Sequence, residues 1–283
     1  MASAYRFGIS EFTTQPWSFD EDVARYAKLG IDTIEVVEAK LDDDRYAEQM
    51  QSIAAAGLGI SGVQPKVRTF FASRMTPNPS GLDERCAALR SSIERLGRHA
   101  PGVPFITNTG AHPKGDMVEA MRVVGDKLGD LAKVAADNGV LLALEPLNPS
   151  SVNVESAIWT IDQALEVIDR ASSDKVGLCL DYWNIWQNAD VAEQIARAGS
   201  RIFTVQASDW RTPRSFADRI VPGTGDLPLA ELIQATRATG YDLPYVVEIF
   251  SNDVADSLYD NDLERVVADC KRGFAAAWAA SEQ

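Results

Sequence analysis

The protein has 283 residues, of which 46% are apolar and 24% are charged. A chain of this length and composition forms a large folded core, which excludes disordered and fibrous proteins. Lys and Arg number 27 against 41 for Asp and Glu, so the formal net charge is −14. Such a surface repels phosphate backbones and anionic lipid headgroups, and we therefore expect neither nucleic acid nor a membrane as a partner.

Membrane insertion and a disulfide framework are also unexpected. The apolar runs fall far short of the roughly 20 residues that a membrane helix needs, and the first residues do not have the pattern of a signal peptide. We therefore expect a cytoplasmic protein. Cys86, Cys179 and Cys270 are odd in number and widely spaced, so we interpret all three as buried small apolar residues rather than disulfides or thiolate metal ligands.

Histidine is scarce, because His99 and His112 are the only two in the chain. A zinc site made of three histidines is therefore excluded. The sequence also lacks the G-x-S-x-G motif that would hold a nucleophilic serine. If the protein performs chemistry near neutral pH, carboxylates or a metal ion should carry it.

In chain order, short β-branched runs alternate with longer segments of helical period, and the alternation repeats eight times. The predicted strands are 5–12, 31–38, 58–67, 103–110, 140–148, 176–183, 202–210 and 244–251. The predicted helices are 19–30, 42–57, 82–99, 117–139, 156–171, 191–199, 227–240 and 263–279.

This alternation predicts an α/β fold, a single (β/α)8 TIM barrel formed by one domain over residues 1–283. Five of the helices end in glycine, as expected where a chain leaves a helix through a left-handed cap. An open doubly wound sheet is the competing fold, but no G-x-G-x-x-G follows the first strand. The segment 68–80 is predicted to be a long loop, and the sequence supports a lid and a simple solvated connection equally.

Oxygen-bearing side chains stand where the last four predicted strands end, namely Glu145, Asp181, Gln206 and Glu248. In a β/α barrel, reactive groups lie at this end of the strands. Any one of these residues alone would be explained better as a helix cap or an ion-pair partner. Together, buried carboxylates require a cation, and an all-oxygen ligand set favours Mn²⁺ or Mg²⁺ over zinc or copper, with Co²⁺ as a further candidate.

The motifs around these residues, LEPLN, LDYWN, VQASDWR followed by PGTGD, and VEIFS, resemble the xylose isomerase-like barrel superfamily of sugar isomerases, epimerases and related lyases. The resemblance covers all eight repeats in outline and is specific over 140–251. It implies that Glu145 and Glu248 are metal ligands and the acid–base pair. It also implies that Asp181 is a ligand and that Arg211 positions the substrate.

Two positions depart from the ketose 3-epimerases of that superfamily. Gln206 replaces a metal-bound histidine, and it resembles the hydroxypyruvate isomerase branch, which implies that a metal is still bound. Asn184 replaces a substrate-binding histidine three residues after the aspartate. Because an asparagine side chain neither carries a positive charge nor transfers a proton, this replacement argues against a strict ketose 3-epimerase.

Further residues are predicted to contact the substrate. Trp183 and Trp17 follow strand ends and would offer an aromatic wall to a sugar, while His112 follows strand 4 and would reach the mouth unless it is an ordinary loop histidine. The resemblance implies that Asn184, at the position of the family's substrate-binding histidine, also contacts the substrate.

Three arginines follow strand 7, namely Arg211, Arg214 and Arg219. Barrel enzymes often bind phosphate in the loops after strands 7 and 8, so these residues indicate either a phosphorylated substrate or surface charge balance.

The leading hypothesis is a divalent-metal-dependent isomerase or epimerase that acts on a small ketose or keto-sugar through a metal-stabilised enediolate. A lyase or decarboxylase of a keto-sugar or keto-acid on the same site is the first alternative. A non-catalytic sugar-binding barrel or subunit of a complex is the second, and an endonuclease is disfavoured by the charge. The expected partner is a small carbohydrate, and a homo-oligomer would agree with the superfamily, whose members often pair.

Overall fold

Eight parallel strands form a closed barrel in the computed structural model of the protein, which describes residues 5–213, 217–252 and 254–283. The strands are β1 Phe7–Ser10, β2 Thr33–Val37, β3 Gly59–Gln64, β4 Pro104–Thr107, β5 Leu141–Leu144, β6 Val176–Asp181, β7 Ile202–Ala207 and β8 Tyr245–Val247. Gly8 pairs with Thr33 on β2 and with Val246 on β8, which closes the sheet. The predicted TIM barrel is confirmed.

Helices cover the outside of the barrel. Within the described ranges they are α1 Phe19–Lys28, α2 Tyr46–Ala55, α3 Leu82–Leu96, α4 Met117–Asp137, α5 Ile161–Ala171, α6 Tyr182–Ile185, α7 Val191–Ala198, α8 Leu229–Ala238 and α9 Leu263–Ala280. None of these helices combines the length and apolarity that crossing a membrane would require. The turn α6 directly after β6 is an element that the periodicity did not predict.

Local capping decides where α5 begins. The sequence predicts a helix from residue 156, but the structure begins it at Ile161, after the cap Thr160. The Thr160 side chain accepts from the Gln163 backbone N–H, and the Gln163 side chain accepts from the Thr160 N–H. This reciprocal capping box fixes the first turn.

The predicted glycine helix ends are confirmed. Each of the five glycines has a positive φ, between 53° and 83°: Gly30, Gly57, Gly139, Gly199 and Gly240. A side chain at such a position would be strained, so glycine ends these helices at the lowest conformational cost.

The main apolar core lies between the barrel and its helices, and a smaller cluster of Ile106, Ala143 and Cys179 is separate from it. Cys179 and Cys270 are buried, as predicted. The prediction is wrong for Cys86, which is only half-buried because it lies in a shallow groove between α3 and α4.

Strand alternation brings polar side chains into the top of the barrel. Cys179 hydrogen-bonds Gln206 across the β6–β7 pair, and Asp181 lies two residues further along β6, on the same face. On β2, the register shifts at Glu35, which then lies opposite Gly62. A Cβ atom at Gly62 would lie 3.2 Å from the Glu35 carboxylate, so this glycine leaves room for a buried acid.

Candidate active site

Three carboxylates converge at the carboxyl end of the barrel. Ligand oxygens of Glu145, Asp181 and Glu248 all lie within 4.8 Å of one another, and each residue is at most 5% exposed. Glu145 follows β5, Asp181 ends β6 and Glu248 follows β8. The closed sheet therefore brings together three acids that are far apart in sequence.

Arg219 is the cation in direct contact with this group. Its guanidinium lies 2.8 Å from Asp181 Oδ2 and 3.1 Å from Glu248 Oε2, and only 6% of its side chain is exposed. The same guanidinium lies between the rings of Trp183 and Phe250, at 4.9 and 5.1 Å from their centroids. Arg219 thus links two carboxylates to the aromatic wall of the site.

A fourth carboxylate, Glu35, lies next to the three acids and is fully buried. Gln64 Nε2 donates to Glu35 Oε1 at 3.2 Å and to Glu248 Oε1 at 3.1 Å. Gln206 Nε2 donates to both Glu35 oxygens at 3.0 Å and to Glu248 Oε1 at 3.1 Å. Two amides therefore bridge the same pair of acids.

These bonds orient the Gln206 amide. Its oxygen accepts from Cys179 Sγ at 3.3 Å, and its nitrogen faces Glu35 and Glu248. The sequence predicts that this oxygen is a metal ligand, whereas the structure brings Gln206 to the site as a hydrogen-bond donor. Turning the amide would place its oxygen against two carboxylates, which is electrostatically unfavourable.

Two asparagines hold the other side of the group. Asn184 Nδ2 donates to Glu145 Oε1 at 2.8 Å and to Asp181 Oδ2 at 2.7 Å, and Asn184 Oδ1 accepts from the Asn148 N–H. Asn108 Nδ2 donates to Glu145 Oε2 at 2.8 Å. Asn184 thus reaches the predicted place, and there it is a fixed donor that links two acids.

Burial sets the protonation of the acids. Desolvation, followed by the nearby charge of Asp181, raises the pKa of Glu145 to about 7. Burial also raises the pKa of Glu248 well above its ordinary value, although Arg219 opposes the shift. A buried carboxyl group whose pKa is raised to about 7, as that of Glu145 is, is suited to proton transfer near neutral pH.

The donor set fits a divalent cation. Glu35, Glu145, Asp181 and Glu248 are all buried, and Arg219 is the cation that pairs with them within the described ranges. In the ionised state one guanidinium cannot balance four carboxylates, and burying such charge costs several kcal/mol per group. The charge is offset either by protonation, as the raised pKa values of Glu145 and Glu248 indicate, or by a bound cation. The converging oxygens of Glu145, Asp181 and Glu248 would hold a hard cation such as Mn²⁺ or Mg²⁺.

A cavity of about 460 Å³ opens above the acids. Glu145, Glu248, Asn184 and Arg219 form part of its lining. Phe12, Phe250 and Trp183 line it, and together with Trp210, which packs against Trp183, they form what we call the aromatic belt. In the belt, Phe12 and Phe250 lie 4.7 Å apart, Trp183 and Trp210 lie 4.6 Å apart, and Arg219 joins the two pairs.

The loop 68–80 forms another side of the cavity. Thr69, Ser73 and Met75 line the cavity. Buried Arg85 on α3 donates to the backbone oxygens of Thr69 and Pro79, which fastens both ends of the loop. The loop is thus a wall in this structure, and its action as a lid stays a prediction.

Three of the predicted substrate-binding residues lie away from the cavity. Arg211 is exposed and pairs with Asp256. Trp17 stacks with Arg25, whose guanidinium lies 4.6 Å from the ring centroid. His112 accepts two backbone N–H bonds within its own loop and packs against Phe71.

The remaining predicted substrate contacts, and one further arginine, lie at the cavity. Trp183 and Asn184 line the cavity. Arg219, another of the three arginines that follow strand 7, lies where Arg211 was expected, because the chain returns to the mouth after β7 and Arg219 N–H donates to the Phe250 carbonyl. Arg214 lies outside the described residues.

The sequence reasoning missed several residues of the site, namely Glu35, Gln64, Arg68 and Asn108. Gln64 ends β3 and Asn108 follows β4, whereas Arg68 lies further beyond β3 and Glu35 lies inside β2. The positional rule that identified Glu145 would have found Gln64 and Asn108 if it had been applied to all eight strands, but it would not have found Glu35, which lies before the end of its strand.

Comparison with known proteins agrees with this geometry. A family model described as a xylose isomerase-like TIM barrel matches residues 23–269. The chain belongs to the xylose isomerase-like TIM barrel family. This membership confirms the resemblance indicated by the strand-end motifs.

Curated relatives of this family member are sugar epimerases or isomerases. D-psicose 3-epimerase from Enterocloster bolteae is 31% identical over 139 residues, which cover 48% of this chain and 41% of the relative. Inosose isomerase from Bacillus subtilis is 26% identical over 187 residues, 64% of each chain. The matches thus span less than two thirds of these relatives' own lengths.

A solved structure shows the shared fold. The crystal structure titled IolI protein with a binding zinc atom superposes with a TM-score of 0.79 over 96% of this chain and 97% of that chain. The sequence identity is 21%, so the likeness concerns the fold.

Proposed function

We propose that the protein is a divalent-metal-dependent isomerase or epimerase of a small ketose or keto-sugar. The observation that carries the proposal is the convergence of Glu145, Asp181 and Glu248 within 4.8 Å at the floor of a cavity of about 460 Å³. The named relatives, a D-psicose 3-epimerase and inosose isomerases, support a ketose or cyclic keto-sugar as the substrate class.

A divalent cation, when bound by Glu145, Asp181 and Glu248, would supply Lewis acidity to the substrate carbonyl and so increase the acidity of the adjacent C–H. Asn184 and Asn108 hold the Glu145 carboxylate from one side, while Gln64 and Gln206 hold Glu248 from the other. Fixed orientation of both carboxylates towards one cavity is what a proton transfer between neighbouring positions requires.

The two glutamates divide the proton transfer. One carboxylate removes the proton beside the carbonyl, and the other carboxyl group delivers a proton to the opposite face or to the neighbouring carbon. Burial raises the pKa of Glu145 to about 7 in the metal-free protein, and a bound cation would favour its carboxylate form, which is the form that accepts a proton. Asn184 carries no transferable proton at the position between Glu145 and Asp181, so the acid–base roles fall to Glu145 and Glu248.

The cavity wall is suited to a carbohydrate. Phe12, Phe250 and Trp183 of the aromatic belt line it beside the polar floor. Aromatic faces pack against the C–H side of a sugar, while amides and carboxylates bind its hydroxyl groups. This combination supports a small polyhydroxylated substrate.

A lyase or decarboxylase acting on a keto-sugar or keto-acid is the second candidate. The observation that favours it is Asn184, which provides a fixed donor rather than a titrating group beside Asp181. The initial proton removal would be shared by both candidates. Release of a smaller product or of CO₂ would distinguish this reaction from isomerisation.

Proton exchange tests the proposal. The protein with Mn²⁺ is incubated in D₂O with a panel of ketoses and cyclic keto-sugars, and carbon-bound deuterium is measured by NMR. We expect exchange beside the carbonyl with the wild type and with Glu94→Gln, a control at an exposed position on α3. Absence of deuterium incorporation across the panel would refute the proposal.

A further inference from the structure

The cavity contains an arginine, Arg68, whose guanidinium makes no ion pair within the described ranges, although its charge acts on Glu145 from a longer distance. Arg68 lines the cavity and is half-buried. Its guanidinium lies 5.3 Å from the centroid of Phe12, in the aromatic belt, and forms no hydrogen bond or ion pair with the residues that the structure describes. The chain carries a net charge of −14, so carboxylates are abundant and this lack of a partner is a feature of the local arrangement.

The other arginines that line the cavity differ from Arg68 in this respect. Arg219 pairs with Asp181 and Glu248, and Arg74 pairs with Glu155. Their charges are satisfied by the protein itself. The Arg68 guanidinium therefore has its bidentate donor face available to a ligand.

Backbone pairing ties Arg68 to the acid group. The Asn108 N–H donates to the Arg68 carbonyl at 2.9 Å, and Asn108 Nδ2 donates to Glu145 Oε2 at 2.8 Å. One residue thus connects Arg68 directly to a proposed catalytic carboxylate. Arg68 and Glu145 line the same cavity, so a single small molecule has access to both.

We propose that the substrate of this site is a ketose or keto-sugar that carries an oxyanion group, either a carboxylate or a phosphate, and that Arg68 binds this group. This inference rests on the proposed function and narrows its substrate class. A planar guanidinium forms two parallel hydrogen bonds with a carboxylate or phosphate, and such charge-assisted bonds are about twice as strong as neutral ones.

The opposing acids define the polarity of the bound molecule. Glu145, Asp181 and Glu248 repel an anionic group, so the oxyanion is directed away from them towards Arg68. The carbonyl end then lies over the carboxylates that perform the proton transfer. Arg68 would in this way select both the class of substrate and the orientation in which it binds.

Matched ligands test this proposal. The three ligands D-fructose, D-fructose 6-phosphate and D-fructuronate are all ketoses. At the end far from the carbonyl, D-fructose is uncharged, D-fructose 6-phosphate carries a phosphate and D-fructuronate carries a carboxylate. Their dissociation constants are measured by isothermal titration calorimetry with the Mn²⁺-treated protein. The variants are Arg68→Gln, Arg68→Lys and the control Arg90→Gln, which removes the same charge from an exposed position on α3.

We expect the wild type and Arg90→Gln to bind at least one charged ketose about tenfold or more tightly than D-fructose. Arg68→Gln should lose this preference, while its affinity for D-fructose changes less than about twofold. Arg68→Lys should keep only part of the preference, because an ammonium group cannot form the two parallel hydrogen bonds of a guanidinium. The charged ligand that shows the preference identifies the oxyanion as phosphate or carboxylate.

Equal affinity of the wild type for all three ketoses overturns the proposal, as does a preference that survives in Arg68→Gln or the absence of binding by all three. Failure of the proposed function gives a different result. In that case no ketose acquires carbon-bound deuterium, although the Arg68-dependent preference for an anion is still measured.

Discussion

The two halves of the barrel mouth contribute different chemistry. Strands β5, β6 and β8 end in the three converging acids, whereas β3 and β4 provide amide donors and β2 provides the buried Glu35. Donor amides lie in both halves, because Gln206 on β7 and Asn184 after β6 also bind the acids. Together these amides hold each carboxylate in one orientation, which a cluster of like charges would not maintain by itself. Under the proposed function, the side of β5 to β8 (the acid half) would carry the reaction, and the side of β2 to β4 (the donor half) would help to position it.

Removing the acid half should have the largest effect. We expect Glu145→Gln and Glu248→Gln each to reduce the exchange rate by about 10²-fold to 10⁴-fold, because each deletes one partner of the proton transfer. The melting temperature should not fall, since a buried charge is replaced by a neutral side chain. Deuterium exchange and circular dichroism measure the two outcomes, and near-normal rates in both variants would show that the acid–base assignment is wrong.

Metal removal tests the acid half as a ligand set. Treatment with EDTA should abolish exchange, and added Mn²⁺ should restore it. Asp181→Asn should weaken Mn²⁺ binding on the order of tenfold or more, because it removes one carboxylate from the converging group. Calorimetric titration of the metal-free proteins measures the affinity directly, and unchanged affinity in Asp181→Asn would contradict the proposed ligands.

The donor half is tested by Glu35→Gln. This change replaces one of the two Glu35 oxygens that accept from Gln64 and Gln206 with an amide nitrogen, so the two glutamines that donate to Glu248 are held less firmly. We expect kcat to fall roughly tenfold and KM to change less than about twofold. The melting temperature should stay the same or rise, and a parallel loss of stability and kcat would instead indicate a purely structural role.

Stability of the metal-free protein should depend on pH through Glu145. Its folded-state pKa is raised to about 7 from 4.5, so the folded state binds more protons than the unfolded state between these values. The free energy of unfolding should therefore fall as pH rises from about 4.5 to about 7, by at most about 3 kcal/mol. Urea unfolding in EDTA at several pH values measures this free energy. Its fall with rising pH should be smaller for Glu145→Gln, and the same pH dependence in both proteins would contradict the raised pKa of Glu145.

The smallest effects are expected outside both halves. Trp17 and His112 lie away from the cavity, in contact with Arg25 and Phe71. Trp17→Phe and His112→Asn should each change kcat/KM less than about twofold, whereas Trp183→Leu in the aromatic belt should lower it more. A large loss of kcat/KM in either Trp17→Phe or His112→Asn would show that this residue acts at the site.

The sequence alone determined the barrel and the three acids that converge at its mouth. Helix-ending glycines such as Gly139 and the apolar runs before Glu145 and Asp181 are local signals, and they report where each strand stops. Strand ends meet at one edge of a parallel barrel, so the position of Glu248 could be placed near Asp181 without coordinates.

Only the tertiary structure decided which side chains hold those acids and which arginine faces them. The orientation of Gln206 depends on Glu35, which lies 171 residues away in sequence. Arg219 and Arg211 follow the same strand, and their separation into a buried and an exposed arginine depends on how the chain returns to β8. Such contacts arise from closure of the sheet and the path of its loops, which no local pattern of residues encodes.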